Sequence, residues 1–516
     1  MSVLVSIVIP VYNAIPYLNE CLASVKSQTF SNYEVIMVND GSTDDSEEIL
    51  HAYANMDSRF KVYNQENHGL GYTRNRGISL SQGKYLFFLD ADDSIPAKAI
   101  ESLFKAADKL HADYAVGKVV RFNESRKYIP IRHLEFNLYH DSGSTTLSAH
   151  PEMLQDSIAC NKLWRKSLIV ENGLTFKEGK YYEDLNLTMK AAVLAKKIEV
   201  INEVVYHWRV RGDEDAPSIT QQQMKLNNTL HRLEALQENR HWLEEMVKDK
   251  NIIEQNDLKS LYDIIRLHAL KYALIEEKDR EEWESTVLRF LSSISKTAAL
   301  QLPPKEKKIY DFLINKDYSN LLLFSRMLTD SERESIVSQD DGKFILNGFG
   351  KRFEITHFLK PTVIIGTVSN CGPKWLLDGF LTVPKASLLM AGELYAQDRA
   401  TGEKIICGNF ETEQVDDKAI YPFENQTFTS EINEKIFQNY KKKAVFDFYY
   451  RLKDYPEIQP ARVRLPFTSI IKEEKLTTGY VSLKLYGTNY GNLSMTLQVK
   501  RKKKILDKYF RFLTRK

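Results

Sequence analysis

The chain has 516 residues and a mass of 59.8 kDa, which is too long for one hydrophobic core and predicts two to four domains. Its net charge of +2 and its 27% of charged residues argue against a protein that coats nucleic acid, so we expect no nucleic-acid partner. The four cysteines lack paired spacing, no apolar run reaches about 18 residues, and the start of the chain lacks signal-peptide features, so we expect a cytoplasmic protein.

Four predicted strands alternate with predicted helices between Val3 and about Asp113. Each strand is a short apolar run, and each helix has apolar residues at three- and four-residue spacing along one face. This alternation predicts a mostly parallel sheet whose strands are joined by right-handed crossovers. The strand sequences are VLVSIVIP, YEVIMV, FKVYN and KYLFFLD.

Polar residues follow each of these strands. Residues 10–13, Asp40, residues 67–71 and residues 90–93 come after the first, second, third and fourth strands. Because the carboxyl ends of parallel strands lie along one edge of a sheet, we expect these segments to form one crevice. The carboxylates of segment 90–93 suit Mg²⁺ or Mn²⁺, ions that hold a substrate's phosphates. Taken singly, each segment is equally compatible with a turn or a helix cap.

A glycine-rich segment, GLGYTR at residues 69–74, begins like a dinucleotide-binding fingerprint. Arg74 occupies the position of the third glycine, and the segment follows the third strand instead of the first. These two departures disfavour an oxidoreductase.

Several motifs together resemble family 2 glycosyltransferases with the GT-A fold. PVYN, VNDGSTDDS, GLGYTRNRG and FLDADD are similar to the nucleotide-binding half of that family. Residues 161–187 resemble the acceptor-side segment of bacterial members, which ends in a Glu-Asp pair. Residues 206–220 resemble the mobile segment that closes over the donor. The resemblance covers residues 1–220, and its fold class is an α/β nucleotide-sugar-binding domain.

The resemblance implies a UDP-sugar donor and a Mn²⁺ or Mg²⁺ cofactor. It implies that Asp40 hydrogen-bonds the uracil, that Asp90 holds the ribose and that Asp92 binds the metal ion on the diphosphate. His207 would be a second metal ligand. The other residues that it places around the donor are Pro10, Tyr12, Asn67, Arg74, Ala91, Arg209 and Arg211.

The Glu-Asp pair is the candidate catalytic group. By the same resemblance Asp184 is the general base, and Glu183 is the alternative. A plain N-cap for the following helix would also explain Asp184, and both roles are compatible. Trp164 either stacks on the acceptor or belongs to the core.

The rest of the chain differs in composition. Residues 221–340 contain no glycine and carry helical spacing of apolar residues, which predicts an all-α module packed on the catalytic domain. Residues 341–499 contain runs of β-branched and aromatic residues, which predict one or two small β-sandwiches. LKLYGTNYGNLSMTL in this region resembles accessory β-regions of teichoic-acid enzymes. The β-region is also our candidate for contact between copies of the chain.

The last segment, residues 500–516, is a basic cluster followed by apolar residues on one helical face. Such segments lie on anionic membrane surfaces, but a solvated tail has the same composition. We therefore expect a protein of the cytoplasm, with peripheral contact at the inner face of the membrane as one option.

Together these features predict an inverting, metal-dependent glycosyltransferase. It would move an N-acetylhexosamine or hexose from a UDP-sugar to a hydroxyl of a cell-surface polymer, with polyol-phosphate wall teichoic acid as the leading acceptor. The alternatives are a transferase for capsule or exopolysaccharide and an inactive protein that only binds polymer. A nucleotidyltransferase also uses paired acids and a metal, but the Glu-Asp segment favours glycosyl transfer.

Overall fold

The structure is a computed structural model, and it forms two compact units, Met1–Thr329 and Asp330–Lys516. The tail at residues 500–516 and most of the predicted mobile segment, residues 212–220, lie outside the described residues. The described residues are 3–123, 127–136, 138–139, 142–211, 224–329, 335–358, 361–384, 391–414, 423–453, 458, 460–465, 475–478, 481–488 and 492–499.

The first unit contains nine strands among its described residues, and all nine belong to one sheet. They are β1 (Val5–Val11), β2 (Tyr33–Asp40), β3 (Phe60–Gln65), β4 (Tyr85–Phe88), β5 (Tyr114–Phe122), β6 (Lys127–Tyr128), β7 (Gly143–Thr145), β8 (Lys162–Arg165) and β9 (Ile198–Arg209).

Helices connect and flank these strands. They are α1 (Ile15–Lys26), α2 (Ser46–Met56), α3 (Leu70–Leu80), α4 (Ala99–Lys109), α5 (Ile131–Glu135), α6 (Lys166–Glu171) and α7 (Asp184–Leu194). A 3-10 helix spans Pro151–Gln155.

The strand order of the sheet is β3-β2-β1-β4-β8-β5-β9-β7, with β6 paired to β5. The first four strands are parallel, which confirms the alternation of strands and helices predicted from the sequence. β8 runs antiparallel to both of its neighbours. Since β2 and β4 lie on opposite sides of β1, the strand order reverses at β1, and in such sheets a ligand crevice opens at that point.

Continuous burial explains why the first strands are apolar along their whole length. Every residue of β1, β2 and β4 is buried, as expected when helices cover both faces of a parallel sheet. α3 packs closely because it carries glycines. A Cβ at Gly77 would lie 2.2 Å from Cγ1 of Val8, and one at Gly71 would lie 2.1 Å from the carbonyl oxygen of Lys177. Larger residues would push α3 away from the crevice.

Further helices follow the sheet in the same compact unit. They are α8 (Leu226–Met246), α9 (Lys250–Leu267), α10 (Glu277–Ser293), α11 (Lys296–Leu300), α12 (Pro304–Ile314) and α13 (Tyr318–Thr329), with a 3-10 helix at Ala269–Leu274. α8 packs on α7 through a pair of buried asparagines. Asn186 Nδ2 donates to Asn239 Oδ1 at 2.8 Å, and Asn239 Nδ2 donates to the carbonyl oxygen of Leu185 at 3.1 Å.

The second unit is rich in strands, as predicted. Its described strands are β10 (Ile336–Asp340), β11 (Lys343–Gly348), β12 (Lys351–Glu354), β13 (Thr362–Asn370), β14 (Lys374–Pro384), β15 (Ala391–Asp398), β16 (Lys404–Glu411), β17 (Glu413–Gln414), β18 (Phe423–Asn433), β19 (Ala444–Leu452), β20 (Ala461–Arg464), β21 (Lys475–Thr478), β22 (Val481–Gly487) and β23 (Leu493–Val499). Short 3-10 helices span Thr356–Phe358 and Glu434–Phe437.

The pairing of these strands does not by itself confirm the predicted sandwiches. In the described part of the unit, β10 to β12 form a three-stranded sheet, and the other eleven strands form one connected sheet. The connection runs through β19, which pairs with β15, β20 and β23. Alternate residues of β19 are buried, so one face of this strand packs on the core. No helix among the described residues of the chain is long and apolar enough to cross a membrane.

Candidate active site

The acidic segment after β4 forms one wall of the crevice. Asp93 is buried there and accepts hydrogen bonds from the Tyr206 hydroxyl at 2.6 Å and from the backbone N–H of Arg209 at 2.7 Å. These contacts hold the end of β9 against the end of β4. Burial raises the pKa of Asp93, and the neighbouring Asp92 carboxylate adds to the increase. Asp93 is therefore a structural anchor within the acidic segment.

Asp92 is partly exposed and forms an ion pair with Arg211. Its Oδ2 accepts hydrogen bonds from Arg211 Nε at 2.9 Å and from Arg211 Nη2 at 2.7 Å. Burial and the nearby Asp90 raise the pKa of Asp92, while the Arg211 guanidinium opposes this effect. Ala91, between the two acids, is buried.

Arg74 links the two sides of the crevice. It is buried on α3, and its Nη2 donates to Asp90 Oδ1 at 2.6 Å. Its Nη1 donates to Glu183 Oε1, and its guanidinium lies 5.2 Å from the centre of the Phe176 ring. One guanidinium therefore holds an acid of the predicted donor side and an acid of the predicted acceptor side together.

The Glu-Asp pair lies at the start of α7. Glu183 is at the N-cap position, but within the described residues its side chain makes no capping hydrogen bond and binds Arg74 instead. Asp184 is the first residue of the helix and is half-buried. Burial raises the pKa of both carboxyl groups, and the Arg74 charge opposes the increase. Capping therefore does not account for the position of this pair.

Helix α8 contacts the residue that comes just before the Glu-Asp pair. The guanidinium of Arg232 on α8 stacks 3.6 Å from the centre of the Tyr182 ring, and Tyr182 has a positive φ of 60° immediately before Glu183. Arg232 Nη1 donates to Asp263 Oδ2 at 2.8 Å, and burial raises the pKa of Asp184 while the charge of Arg232 opposes this rise. No local sequence pattern indicates this contact, because Arg232 lies about fifty residues along the chain from Tyr182.

Replacing Arg232 with Met should change the pH dependence of activity as well as stability. Without its charge, the pKa of Asp184 should rise, so a reaction that needs the carboxylate should lose rate at a higher pH than in the wild type. Unfolding free energy should fall by about 2 kcal/mol, the size of a buried hydrogen bond to a charged group. Rate profiles against pH and denaturant unfolding measure the two effects.

Arg240→Met is the matched control because Arg240 is also on α8 and pairs with buried Asp257 at 2.9 Å. Arg240→Met should lose stability without shifting the pH profile of activity. Arg232→Lys keeps the positive charge, so it should shift the profile less than Arg232→Met does. Equal shifts in Arg240→Met and Arg232→Met would contradict a specific link between Arg232 and Asp184.

The predicted uracil pocket lies at the ends of β1 and β2. Asp40 is buried, and it accepts hydrogen bonds from the backbone N–H groups of His68 and Gly69, each at 2.9 Å, and from Gln65 Nε2 at 2.6 Å. Asp40 thus fixes the turn that leads into α3. Pro10 is buried at the end of β1, Tyr12 is exposed and Asn67 is exposed.

His207 and Trp164 occupy different surroundings. His207 is bridged through its backbone to Ser94, with its N–H donating to the Ser94 carbonyl at 2.9 Å, and its ring meets the Phe122 ring at 6.1 Å. Burial lowers the pKa of His207, which favours the neutral imidazole that metal ions bind. Trp164 is fully buried, and its Nε1 donates to the Ala159 carbonyl at 3.1 Å, so it belongs to the core.

The side chains around the crevice determine what kind of metal site the crevice could form. Among the residues that the structure describes, no group of three or more His, Cys, Asp or Glu side chains is placed to hold a metal ion. Mg²⁺ is commonly held by one or two carboxylates together with substrate phosphates. Asp92 at the crevice fits a cation that arrives with a diphosphate, and does not form a cage made of protein ligands alone.

A family model and several known proteins match the first part of this chain. The family model for Glycosyl transferase family 2 matches residues 6–171. The Streptococcus pneumoniae glycosyltransferase GlyG is 32% identical over 224 residues, which are 41% of this chain and 72% of GlyG. GlyA from the same organism is 36% identical over 213 residues, but the match spans 40% of this chain and 30% of GlyA.

Three further alignments cover more of the chain. The Bacillus spizizenii poly(ribitol-phosphate) beta-glucosyltransferase is 26% identical over 349 residues, which are 65% of this chain and 52% of that enzyme. The crystal structure of Staphylococcus aureus TarS aligns with a TM-score of 0.57 at 18% identity, covering 97% of this chain and 86% of TarS. TarS 1–349 in complex with UDP-GlcNAc aligns with a TM-score of 0.52 at 20% identity, covering 68% of this chain and 98% of that one. At such identities the likeness to TarS shows a shared fold.

Proposed function

This chain belongs to glycosyltransferase family 2, and from that premise we propose that it transfers a sugar from a UDP-sugar to a hydroxyl of a cell-surface polymer, with inversion at the anomeric carbon. The observation that carries the proposal is the pair of hydrogen bonds from Arg74 to Asp90 and Glu183. It joins the strand end expected to hold the donor to the helix start expected to act on the acceptor.

The donor occupies the crevice at the end of β1, β2 and β4 in this proposal. Pro10, Tyr12, Asp40 and Asn67 surround the uracil, with Arg74 beside it, and Asp90 and Ala91 lie against the ribose. Asp92 and His207 would hold Mn²⁺ or Mg²⁺, and the cation would stabilise the negative charge of the departing diphosphate. Arg211, which pairs with Asp92 in the structure, brings a further positive charge for the diphosphate.

Transfer proceeds as one displacement. The acceptor hydroxyl oxygen forms a bond to the anomeric carbon while the bond from that carbon to the diphosphate oxygen breaks, and Asp184 takes the hydroxyl proton. Glu183 remains paired with Arg74, which keeps the second acid away from the proton. A single displacement inverts the anomeric configuration.

The acceptor is a polyol-phosphate chain of the wall teichoic acid type, and the sugar is an N-acetylhexosamine or a hexose. The similarity to a poly(ribitol-phosphate) beta-glucosyltransferase supports this choice. We propose that the enzyme works in the cytoplasm at the inner face of the membrane, and that the β-region brings copies of it together.

We divide the chain by role in the same way. Residues 1–220 form the catalytic domain, residues 221–340 the helical module, residues 341–499 the accessory β-region and residues 500–516 a basic tail. The contacts from α8 to Tyr182 and Asn186 support a helical module that holds the catalytic acids in place.

Release of UDP by purified full-length protein tests the proposal. The donors to compare are UDP-N-acetylglucosamine, UDP-glucose and UDP-galactose, with GDP-mannose as the control nucleotide sugar. We expect one UDP-sugar to release UDP in the presence of Mn²⁺, faster when poly(ribitol phosphate) is added. The proposal would be contradicted if GDP-mannose were the only donor to release its nucleotide, or if no donor released nucleotide with any polyol-phosphate.

A further inference from the structure

The second unit contains a cavity of about 450 Å³, within the range of small-molecule sites. It lies on β13, β14 and β18 and on the chain around β17. We call it the Phe380 cavity and define it by the six lining residues that matter below: Thr367, Asp378, Phe380, Glu411, Glu413 and Thr429.

One row of side chains crosses the floor of the Phe380 cavity. Strand pairing sets Asp378 opposite Thr367 on one side and opposite Thr429 on the other. Both threonine hydroxyls donate to the Asp378 carboxylate, each at 2.9 Å. A hydroxyl has one proton to donate, so both threonines are left with acceptor oxygens, and the carboxylate is an acceptor throughout. This row can therefore bind only groups that donate hydrogen bonds.

An aromatic ring lies next to this row. Phe380 is two residues along β14 from Asp378, on the same face of the sheet, and 44% of its surface is exposed. Gly379 between them packs closely, since a Cβ there would lie 2.6 Å from the Ile364 carbonyl oxygen. An exposed apolar ring beside a row of acceptors presents two surfaces, one for C–H groups and one for O–H groups.

The charge of the cavity narrows the choice of ligand. Glu411 and Glu413 add two carboxylates at its rim, and none of the ten described residues that line it is Lys, Arg or His. A phosphate or carboxylate would meet like charge and no donor here. A cation site is not built either, because the carboxylates are not grouped to hold a metal ion among the described residues.

We propose that the Phe380 cavity binds a carbohydrate unit, a sugar ring or an open-chain polyol, through its hydroxyl or amino hydrogens, and rejects phosphate. Its C–H face packs on Phe380 and its hydroxyls donate to the Thr367-Asp378-Thr429 row. The second unit would thus recognise the neutral part of a polymer, separately from the reaction at the catalytic crevice.

Saturation-transfer difference NMR on the full-length chain tests this site. The probes are ribitol, glucosamine and maltotriose, with ribitol 5-phosphate as the anionic comparison. We expect at least one of the three uncharged or amino-bearing probes to bind, and ribitol 5-phosphate to bind more weakly than ribitol. Phe380→Ala and Thr429→Val should each weaken binding of that probe by about tenfold, equivalent to 1.4 kcal/mol.

Ile406→Ala is the matched control, because Ile406 is an apolar side chain of the same unit with 54% exposure and does not line the cavity. It should bind the probe like the wild type, and all variants should keep wild-type UDP affinity, which separates this site from the catalytic crevice. Thr429→Val keeps the shape of the side chain, so this variant still tests the binding site in the event that Phe380→Ala does not fold. No binding of any of the three probes, tighter binding of ribitol 5-phosphate, or an equal loss in Ile406→Ala would overturn the proposal.

Discussion

Replacing Asp92 with Asn should reduce sugar transfer by at least about a thousandfold. A divalent cation on a leaving diphosphate stabilises the transition state by several kcal/mol, and each 1.4 kcal/mol is a factor of ten in rate. Asn keeps the shape of the side chain but loses the charge that holds the cation. Values of kcat/KM at saturating Mn²⁺ measure the loss.

The ion pair between Asp92 and Arg211 makes this prediction more specific. Asn at position 92 also removes the negative charge that pairs with Arg211, so a stronger contact between Arg211 and the diphosphate would preserve UDP binding while transfer falls. EDTA should abolish wild-type transfer, and Mn²⁺ or Mg²⁺ should restore it.

Asp57→Asn provides the control for Asp92→Asn. Asp57 pairs with Arg59 just before β3, at the opposite end of the strands from the crevice, so its loss should leave transfer unchanged. Full transfer in EDTA, or full transfer by Asp92→Asn, would show that the reaction does not use a metal at this site.

Much of the first unit was predictable from the sequence because its strands are continuous apolar runs bounded by turns. The predicted strand KYLFFLD contains the observed β4, Tyr85–Phe88, and the predicted strand YEVIMV lies within β2, Tyr33–Asp40. In a parallel sheet buried on both faces, the same residues that form the strand also form the core. The local pattern and the fold therefore agree.

The pairing of the C-terminal strands was less predictable. Alternation of apolar residues indicates that VFDFYYRL is a strand with one buried face, and β19 has this pattern. Alternation does not encode which strand is the neighbour, and β19 pairs with three others. The predicted sandwiches depended on that missing information.

The side-chain contacts of the candidate site were also less predictable from the sequence than the positions of its residues. The positions of Asp90 and Asp92 after a strand and of Asp184 at the start of a helix were predictable from the sequence, whereas their roles come from the resemblance and stay predictions. The resemblance placed Arg74 near the uracil, but it did not predict the hydrogen bonds from Arg74 to Asp90 and to Glu183, which is 109 positions away. Arg232 reaches Tyr182 from another helix. Contacts of this kind arise from tertiary packing and leave no local pattern.

Asp184→Asn should leave the donor site intact and reduce transfer. Asn retains the shape and hydrogen bonding of the side chain but does not accept a proton, and loss of a general base typically costs about 10²–10⁴-fold in rate. Because burial raises the pKa of Asp184, wild-type transfer should rise with pH through a range above that of an ordinary carboxyl group. That limb of the profile should be absent from the residual activity of the variant.

Glu183→Gln distinguishes the two acids. Glu183 is held by Arg74, so this variant should disturb the crevice and weaken both UDP binding and transfer. If Glu183 were the base instead, Glu183→Gln would lose transfer with UDP affinity intact, and Asp184→Asn would retain transfer.

The most direct test of the account is to measure UDP affinity and transfer rate on the same preparation of Asp184→Asn. Calorimetric titration with UDP in the presence of Mn²⁺ gives the affinity, and UDP release with poly(ribitol phosphate) gives the rate. We predict a wild-type Kd together with a rate lower by about 10²–10⁴-fold. A wild-type rate, or a loss of UDP affinity as large as the loss of rate, would contradict the assignment of Asp184 as the base that activates the acceptor.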